Sequence, residues 1–290
     1  MASPLARTVV GIPYQNPVLL AAGTAGFGRE VAGVIDLERL GGLITKAVSS
    51  APRPGNRAPR VAEFPGGMMN SVGLANPGLA RVQDEQLPWL MTHLQAARVL
   101  VNVVGFEAED FADVVGGLDA FDGIAGFEVN LSCPNTHAGG MEFGADPASA
   151  ARVMELCRAR TRKPLFAKLS PALPDIAGMA LTVRGAGADG VSVVNTMPGY
   201  LYAEGERPRL GNGNGGVSGP ALLPVGVLAV RKIMDRSGGM PVIGMGGIRS
   251  AADARQYLQA GAALVAVGTA AMCDPRIPER IVAGLAAGHG

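Results

Sequence analysis

Short apolar runs alternate with amphipathic segments along the whole chain, and this alternation constrains the fold more than any other feature. Most runs stay apolar until their last residues, as parallel strands buried on both faces do. We predict strands at 18–22, 43–48, 99–104, 126–132, 165–170, 190–196, 241–246 and 264–269, and helices near 29–40, 79–96, 108–121, 147–162, 175–187, 220–237, 251–260 and 276–286. Strand–helix units that fill the chain in this way predict an α/β fold, the (β/α)8 or TIM barrel, as a single domain over 1–290. An open doubly wound sheet is the alternative.

Charge and cysteine content limit the classes of function. The formal net charge is +1, which provides no strong field to attract nucleic acid. No stretch approaches the ~18 apolar residues of a spanning helix, and the N-terminus lacks the apolar region of a signal peptide. The three cysteines, Cys133, Cys157 and Cys273, are too few for a disulfide framework or for a four-cysteine iron–sulfur or zinc site. We therefore expect a cytoplasmic protein without a membrane anchor, and without a metal of its own.

Two longer segments, 49–78 and 197–218, follow predicted strands and are interpreted as loops on the C-terminal face of the barrel. The second contains Gly211, Gly213 and Gly216 in the spacing G-x-G-x-x-G. That motif binds dinucleotides only when it directly follows a strand in a βαβ unit. Because this copy lies in a polar stretch, we interpret it as a flexible loop and expect no separate dinucleotide-binding domain.

Glycines close the last strands, at a place where barrels often bind phosphate. They lie in Ser218-Gly219-Pro220, in Gly246-Gly247 and in Gly268-Thr269. Glycine lets an anion approach backbone N–H groups that a Cβ would shield, and the Thr269 hydroxyl can add a further donor. Each site alone is compatible with an ordinary turn. Three of them in this position predict a cradle for a phosphate-bearing cofactor.

The fourth predicted strand leads directly into a cysteine. Cys133 lies on the catalytic-face loop, where an accessible thiolate can act as a base or a nucleophile. His137 is close in sequence, although a histidine in such a loop is more often only solvated. Cys157 follows Val153 and Met154 on an apolar helix face and is predicted to pack in the core. Cys273 is interpreted as structural.

Polar residues end several otherwise apolar strands. Lys46 and Lys168 are costly to bury on barrel strands unless they meet an anion, so both are predicted to face the site. Outward snorkelling of the ammonium groups is the alternative. Four asparagines end strands or flank loops, namely Asn70, Asn102, Asn130 and Asn195. Together they predict a pocket for a planar, amide-rich ligand that carries a carboxylate.

In this order, the motifs resemble those of the class 1 dihydroorotate dehydrogenases. The resemblance extends over nearly the whole chain and includes the segments 21–24, 70–78, 130–135, 195–196, 218–220, 246–247 and 268–269. Each motif is weak alone, whereas the ordered set is specific. The resemblance implies an FMN-dependent oxidoreductase that converts (S)-dihydroorotate to orotate in de novo pyrimidine (UMP) biosynthesis.

The resemblance also implies a role for each matching residue. Cys133 would be the base that removes a proton from C5, while hydride passes from C6 to the flavin. The implied substrate-binding residues are Lys46, Asn70, Ser71, Val72, Gly73, Leu74, Asn130, Asn195 and Thr196. The implied FMN-binding residues are Thr24, Lys46, Ala47, Asn102, Asn130, Lys168, Val194, Gly219, Gly246, Gly247, Gly268 and Thr269.

The segment from Cys133 to Gly144 resembles the NAD-linked subclass, 1B, more than the fumarate-linked subclass, 1A. Resemblance to 1B implies a partner subunit that carries FAD and a 2Fe–2S cluster and passes electrons to NAD. The working unit would be a heterotetramer built on a homodimer of this chain. Pro198 and the segment 200–209 match neither subclass firmly. The resemblance therefore does not indicate what this segment, a possible lid over the site, contacts.

Other functions fit parts of the pattern. A flavin enzyme related to dihydropyrimidine dehydrogenase would bind uracil in place of orotate. A phosphate-sugar lyase or isomerase barrel would contain no flavin. A non-enzymatic FMN-binding subunit would hold the cofactor without reducing it.

Overall fold

The computed structural model describes residues 4–132 and 143–288. The strands are β1 (Arg7–Val9), β2 (Ile12–Tyr14), β3 (Val18–Leu20), β4 (Gly42–Ile44), β5 (Val61–Phe64), β6 (Gly67–Asn70), β7 (Arg98–Val103), β8 (Ile124–Asn130), β9 (Leu165–Lys168), β10 (Gly190–Val193), β11 (Met197–Tyr200), β12 (Asn214–Ser218), β13 (Val242–Met245) and β14 (Leu264–Val267). The helices are α1 (Leu79–Arg81), α2 (Leu87–His93), α3 (Ala108–Leu118), α4 (Pro147–Arg158), α5 (Ile176–Gly185), α6 (Leu222–Ser237), α7 (Ala251–Ala260), α8 (Thr269–Cys273) and α9 (Ile277–Ala287). A π-helical turn, Val82–Gln86, joins α1 to α2.

Eight parallel strands close into a barrel in the order β3-β4-β7-β8-β9-β10-β13-β14. Each strand pairs with its neighbours in chain order, and the ring closes where Val265 of β14 pairs with Val18 of β3. The predicted (β/α)8 barrel is therefore confirmed. The barrel strands end one to four residues earlier than predicted. After β4, the Lys46 N–H donates to the Gly26 carbonyl at 2.7 Å.

The prediction of a helix over 29–40 is wrong. The segment forms irregular turns, with a short 3₁₀ helix only at Leu37–Arg39. The Asp36 carboxylate accepts the Glu38 N–H at 3.0 Å. This bond caps the short 3₁₀ helix at its N-terminus, so helical structure in this segment begins only at Leu37.

The interpretation of 49–78 and 197–218 as loops is also wrong in part. These segments contain β5, β6, β11 and β12, which form an antiparallel sheet in the order β11-β12-β6-β5. Pro65 and Gly66 make the turn between β5 and β6, and Gly66 adopts the left-handed φ of 87° that this turn needs. Gly216 belongs to β12 and pairs with Asn70, so part of the G-x-G-x-x-G stretch is strand and not flexible loop.

A hairpin that the sequence did not indicate, β1 and β2, contributes to the barrel interior. Val9 and Tyr14 from this hairpin pack in one cluster with side chains from six barrel strands, which we call the apolar layer: Leu19, Ile44, Leu100, Phe166, Ile243 and Leu264. Burial raises the pKa of the Tyr14 phenol to about 12. The hairpin and the apolar layer therefore close one level of the barrel to water.

Within residues 4–132 and 143–288, no helix is long and apolar enough to cross a membrane.

Candidate active site

The interior of the barrel becomes polar one step beyond the apolar layer. Successive side chains on a strand alternate between faces, so residues two positions apart point the same way. Asn102 therefore lies above Leu100, and Lys168 lies above Phe166. Together with Glu128 of β8, which pairs in register with Asn102, they form what we call the polar layer. All three residues are buried.

A carboxylate joins the other two members of the polar layer. The Asn102 amide Nδ2 donates to Glu128 Oε1 at 2.6 Å, and Lys168 Nζ lies 3.3 Å from the same oxygen. The side chain of Glu128 is 0% exposed and that of Lys168 is 7% exposed. Glu128 Oε2 has no hydrogen-bond partner among the described residues. The barrel interior therefore contains a buried ion pair.

Sequence reasoning missed Glu128, although a signal was present. An acidic residue within the run Gly126-Phe127-Glu128-Val129-Asn130 is as unusual as the lysines that were singled out. Ser192 is a second such residue. It is fully buried on β10, pairs in register with Lys168, and its Oγ has no hydrogen-bond partner in the described part of the chain.

Lys46 lies where β4 ends. The chain continues beside β7 after Ile44, since the Val48 N–H donates to the Asn102 carbonyl at 2.9 Å. Lys46 is half-buried and Ala47 is buried. Among the described residues, Lys46 Nζ has no hydrogen-bond or ion-pair partner. This ammonium group is thus available to an anionic ligand at the C-terminal end of the barrel.

The predicted glycine cradle is assembled from separate strands. The Thr269 hydroxyl lies 2.7 Å from the Ser218 hydroxyl, which joins the start of α8 to the end of β12. A Cβ placed on Gly268 would lie 4.0 Å from Thr24 Oγ1, so Thr24 borders the same place. Gly219 follows Ser218 directly and has a φ of 131°. The structure therefore brings these residues to one end of the barrel.

A tyrosine orients the turn after β13. The buried Tyr257 hydroxyl lies 2.8 Å from the carbonyl oxygens of both Met245 and Gly246. In a trans peptide the next N–H points opposite to the carbonyl. The N–H groups of Gly246 and Gly247 therefore point away from Tyr257. Val194 borders this turn, and its N–H donates to the Met245 carbonyl at 2.9 Å.

Hydrogen bonds and close approach connect the predicted substrate residues to the barrel. Asn195 Nδ2 lies 3.4 Å from Asn130 Oδ1, and Asn130 pairs in register with Lys168. Asn70 Nδ2 lies 3.3 Å from the Gly216 carbonyl. A Cβ on Gly216 would overlap the Thr196 hydroxyl, so Thr196 adjoins this contact. Strand β12 thus adjoins the segment after β10, and that segment contacts the C-terminal end of β8.

The segment from Ser71 to Leu74 forms a turn after β6. Asn56 Nδ2 donates to Ser71 Oγ at 2.8 Å, and the Asn56 N–H donates to the Val72 carbonyl at 3.1 Å. Gly73 and Leu74 have left-handed φ values of 71° and 57°. For leucine this conformation is uncommon, so the turn is held in a specific shape.

The comparisons with known proteins agree with this geometry. Residues 4–288 match the family model for dihydroorotate dehydrogenase. The chain belongs to the dihydroorotate dehydrogenase family. A relative from Pelobacter propionicus, named dihydroorotate dehydrogenase B (NAD(+)), catalytic subunit, is 44% identical over 96% of this chain and 90% of its own length. Relatives of the same name from Geotalea daltonii and Desulforudis audaxviator are 44% and 45% identical, over 98% and 97% of this chain and 93% and 91% of their own lengths.

The family assignment made from the motifs is therefore confirmed, including its resemblance to the NAD-linked subclass. Two residues singled out within those motifs, Cys133 and His137, lie outside the described residues. Cys157 is fully buried in the core, as predicted, and burial raises the pKa of its thiol to about 12. Cys273 is exposed at the end of α8. Cys157 therefore has neither the access nor the low pKa that a reactive thiol needs.

Proposed function

We propose that this member of the dihydroorotate dehydrogenase family binds FMN and oxidises (S)-dihydroorotate to orotate in de novo pyrimidine biosynthesis. The whole chain, 1–290, would act as a single FMN-binding domain. The observation that carries the proposal is that the polar layer of Asn102, Glu128 and Lys168 and the glycine cradle both lie towards the C-terminal end of the barrel. This is the end at which (β/α)8 enzymes place their active sites.

The residues at this end fit FMN. The cradle of Gly219, Gly246, Gly247, Gly268 and Thr269 suits a phosphate, because backbone N–H groups and a hydroxyl can bind its oxygens. The polar layer suits the ring system, whose edge alternates hydrogen-bond donors and acceptors. Thr24, Lys46, Ala47, Asn130 and Val194 would complete the FMN contacts. FMN, when bound, supplies the acceptor for hydride from C6 of the substrate.

The substrate would bind above the polar layer. Lys46 offers the charge for the carboxylate of dihydroorotate, since its ammonium group has no partner among the described residues. The amides of Asn70, Asn130 and Asn195 and the Thr196 hydroxyl would hydrogen-bond the planar ring. The turn of Ser71, Val72, Gly73 and Leu74 would close the pocket on the side of β6. Cys133 would remove the proton from C5 as a general base.

The electrons would leave through a second protein. The relatives are named catalytic subunits of an enzyme that uses NAD(+), which supports a partner subunit for this chain as well. We propose that the partner carries FAD and a 2Fe–2S cluster, in a heterotetramer built on a homodimer of this chain. The three cysteines here are fewer than the four thiolates that such a cluster takes.

Anaerobic mixing with dihydroorotate tests the proposed function. The purified chain should carry FMN, and the visible flavin band should bleach when dihydroorotate is added, because the flavin is reduced. Dihydrouracil, which lacks the carboxylate, is the matched control and should bleach it far more slowly. A colourless protein would exclude the flavin enzyme, bleaching by dihydrouracil alone would indicate the dihydropyrimidine activity, and unchanged colour with both would refute the oxidation.

A further inference from the structure

The carboxylate of Glu128 is buried and contacts two residues of the polar layer, Asn102 and Lys168. Its Oε1 accepts from Asn102 Nδ2 at 2.6 Å and from Lys168 Nζ at 3.3 Å, and its side chain is 0% exposed. A carboxylate in this environment requires compensation, and the pair with Lys168 provides it. No resemblance or motif assigned a role to this residue.

The chemistry of a carboxylate fixes which way the Asn102 amide faces. An ionised carboxylate only accepts hydrogen bonds, so the amide must turn its NH2 group towards Glu128. The Asn102 Oδ1 atom is then left as an acceptor, and no other described residue donates to it. Glu128 thereby makes Asn102 an acceptor towards anything bound above the polar layer.

The same carboxylate holds the ammonium group of Lys168. One contact of Nζ is with Glu128, and within the described residues the group has no other hydrogen bond. Its remaining N–H donors stay available. Because Lys168 keeps slight exposure whereas Glu128 has none, the carboxylate lies on the inner side of the pair. Glu128 thus presents an acceptor from Asn102 next to donors from Lys168.

We propose that Glu128 is a positioning residue that sets the donor and acceptor pattern of the flavin site through Asn102 and Lys168. This inference rests on the proposed function, since the pattern suits the pyrimidine edge of a flavin, where an N–H lies between two carbonyl groups. Glu128 also balances the charge of Lys168. It therefore tunes how strongly the site favours the reduced cofactor, which carries more negative charge than the oxidised form.

Two variants separate the chemistry of Glu128 from its shape. Glu128→Gln keeps the shape, but its amide can donate to Asn102 and reverse that side chain, whereas Glu128→Asp keeps the acceptor-only chemistry. Titration of the apoprotein with FMN should give a dissociation constant about tenfold larger or more for Glu128→Gln, since the reversed Asn102 amide would meet the flavin N–H with a donor and that hydrogen bond would be lost. Glu128→Asp should bind FMN more tightly than Glu128→Gln. Glu155→Gln, on an exposed face of α4, is the matched control and should bind like the wild type.

The midpoint potential of the bound flavin provides a second readout that a purely structural role would not move. It should shift to a more positive value in Glu128→Gln, because the reduced flavin then faces an ammonium group without its counter-charge. If Glu128→Gln does not fold, Lys168→Met and Glu128→Gln/Lys168→Met carry the test. The double variant should bind FMN more weakly than Lys168→Met, because Asn102 can still reverse when an amide replaces the Glu128 carboxylate.

The outcomes separate this inference from the proposed function. A wild-type chain that neither binds FMN nor is bleached by dihydroorotate would overturn both. If the wild type is bleached, the inference fails when Glu128→Gln keeps wild-type affinity and potential, or when it binds FMN more tightly than Glu128→Asp. It also fails when Glu128→Gln/Lys168→Met binds FMN as tightly as Lys168→Met does.

Discussion

Two levels of the same barrel differ in chemistry over a distance of two residues. On β7 the interior side chain changes from Leu100 to Asn102, and on β9 it changes from Phe166 to Lys168. The lower residues pack with Tyr14 in an apolar layer, whereas the upper ones bind Glu128. Residues at the C-terminal ends of barrel strands serve chemistry, and those below serve stability. The comparison indicates that one strand contributes to stability and to chemistry, and that the change from one role to the other occurs between two successive interior side chains.

The difference also explains why the polar residues do not disrupt the fold. A buried charge is unfavourable unless it is paired. Glu128 and Lys168 pair with each other at the polar layer, and the apolar layer needs no such partner. Charge pairing and hydrogen bonds therefore fix the side chains of the polar layer, whereas packing fixes those of the apolar layer.

The largest effect is expected at Cys133, the proposed general base. Cys133→Ala should slow anaerobic flavin reduction by dihydroorotate by on the order of 10²–10⁴-fold, the usual contribution of a general base. FMN should remain bound, since the residue is proposed to act on the substrate. Stopped-flow absorbance measures the rate. Cys273→Ala, at an exposed position on α8, is the control, and normal turnover of Cys133→Ala would remove Cys133 from the mechanism.

A smaller effect is expected from the half-buried lysine at the end of β4. Lys46→Ala should weaken binding of orotate about 10- to 100-fold, because a charged hydrogen bond to the carboxylate is lost. The change in the flavin spectrum on titration with orotate measures the affinity. Lys232→Ala, on an exposed part of α6, should leave the affinity unchanged. Equal orotate affinity in Lys46→Ala and the wild type would show that another group binds the carboxylate.

The smallest effect is a dependence of stability on pH, and it is expected at Tyr14, which packs against the apolar layer. Burial raises the pKa of Tyr14 from 10.0 to about 12, so the phenol ionises in the unfolded chain before it does in the folded one. Stability from this group is therefore complete below pH 10.0 and is lost as the pH rises towards about 12. Relative to Tyr14→Phe, the wild type should lose on the order of 2 kcal/mol of unfolding free energy in that window. Parallel urea unfolding curves for the two proteins from pH 9 to pH 12 would contradict this.

The sequence was sufficient for the barrel, and it singled out several of the polar residues that the structure brings to the C-terminal end of the barrel. Buried parallel strands leave continuous apolar runs, and Lys46, Asn102 and Lys168 interrupt those runs where each strand ends. Polar residues there are informative because burial would otherwise be unfavourable. The glycine turns were also recognisable, since their position after the last strands matches the usual phosphate site of barrels.

The missed features depend on contacts between distant parts of the chain. The proposed role of Glu128 depends on its contacts with Asn102 and Lys168, which are 26 and 40 residues away in the chain. Only the strand register brings the three residues together. The sheet of β5, β6, β11 and β12 depends on pairing across 146 residues, as between Asn70 and Gly216. The helix predicted over 29–40 was wrong although its apolar spacing is regular, since the segment forms irregular turns with a 3₁₀ helix only at Leu37–Arg39.

A matched pair of variants on β7 tests the division between the two levels most directly. Leu100→Ala should lower the unfolding free energy by about 2–5 kcal/mol, the usual effect of a cavity in a core. Its FMN dissociation constant should stay within about twofold of the wild type. Asn102→Ala should weaken FMN binding about tenfold and destabilise the chain less than Leu100→Ala does. Titration of both apoproteins with FMN, with unfolding curves alongside, decides the matter. Wild-type affinity in Asn102→Ala, or an equal loss of affinity in Leu100→Ala, would contradict the assignment of stability to one level and cofactor binding to the other.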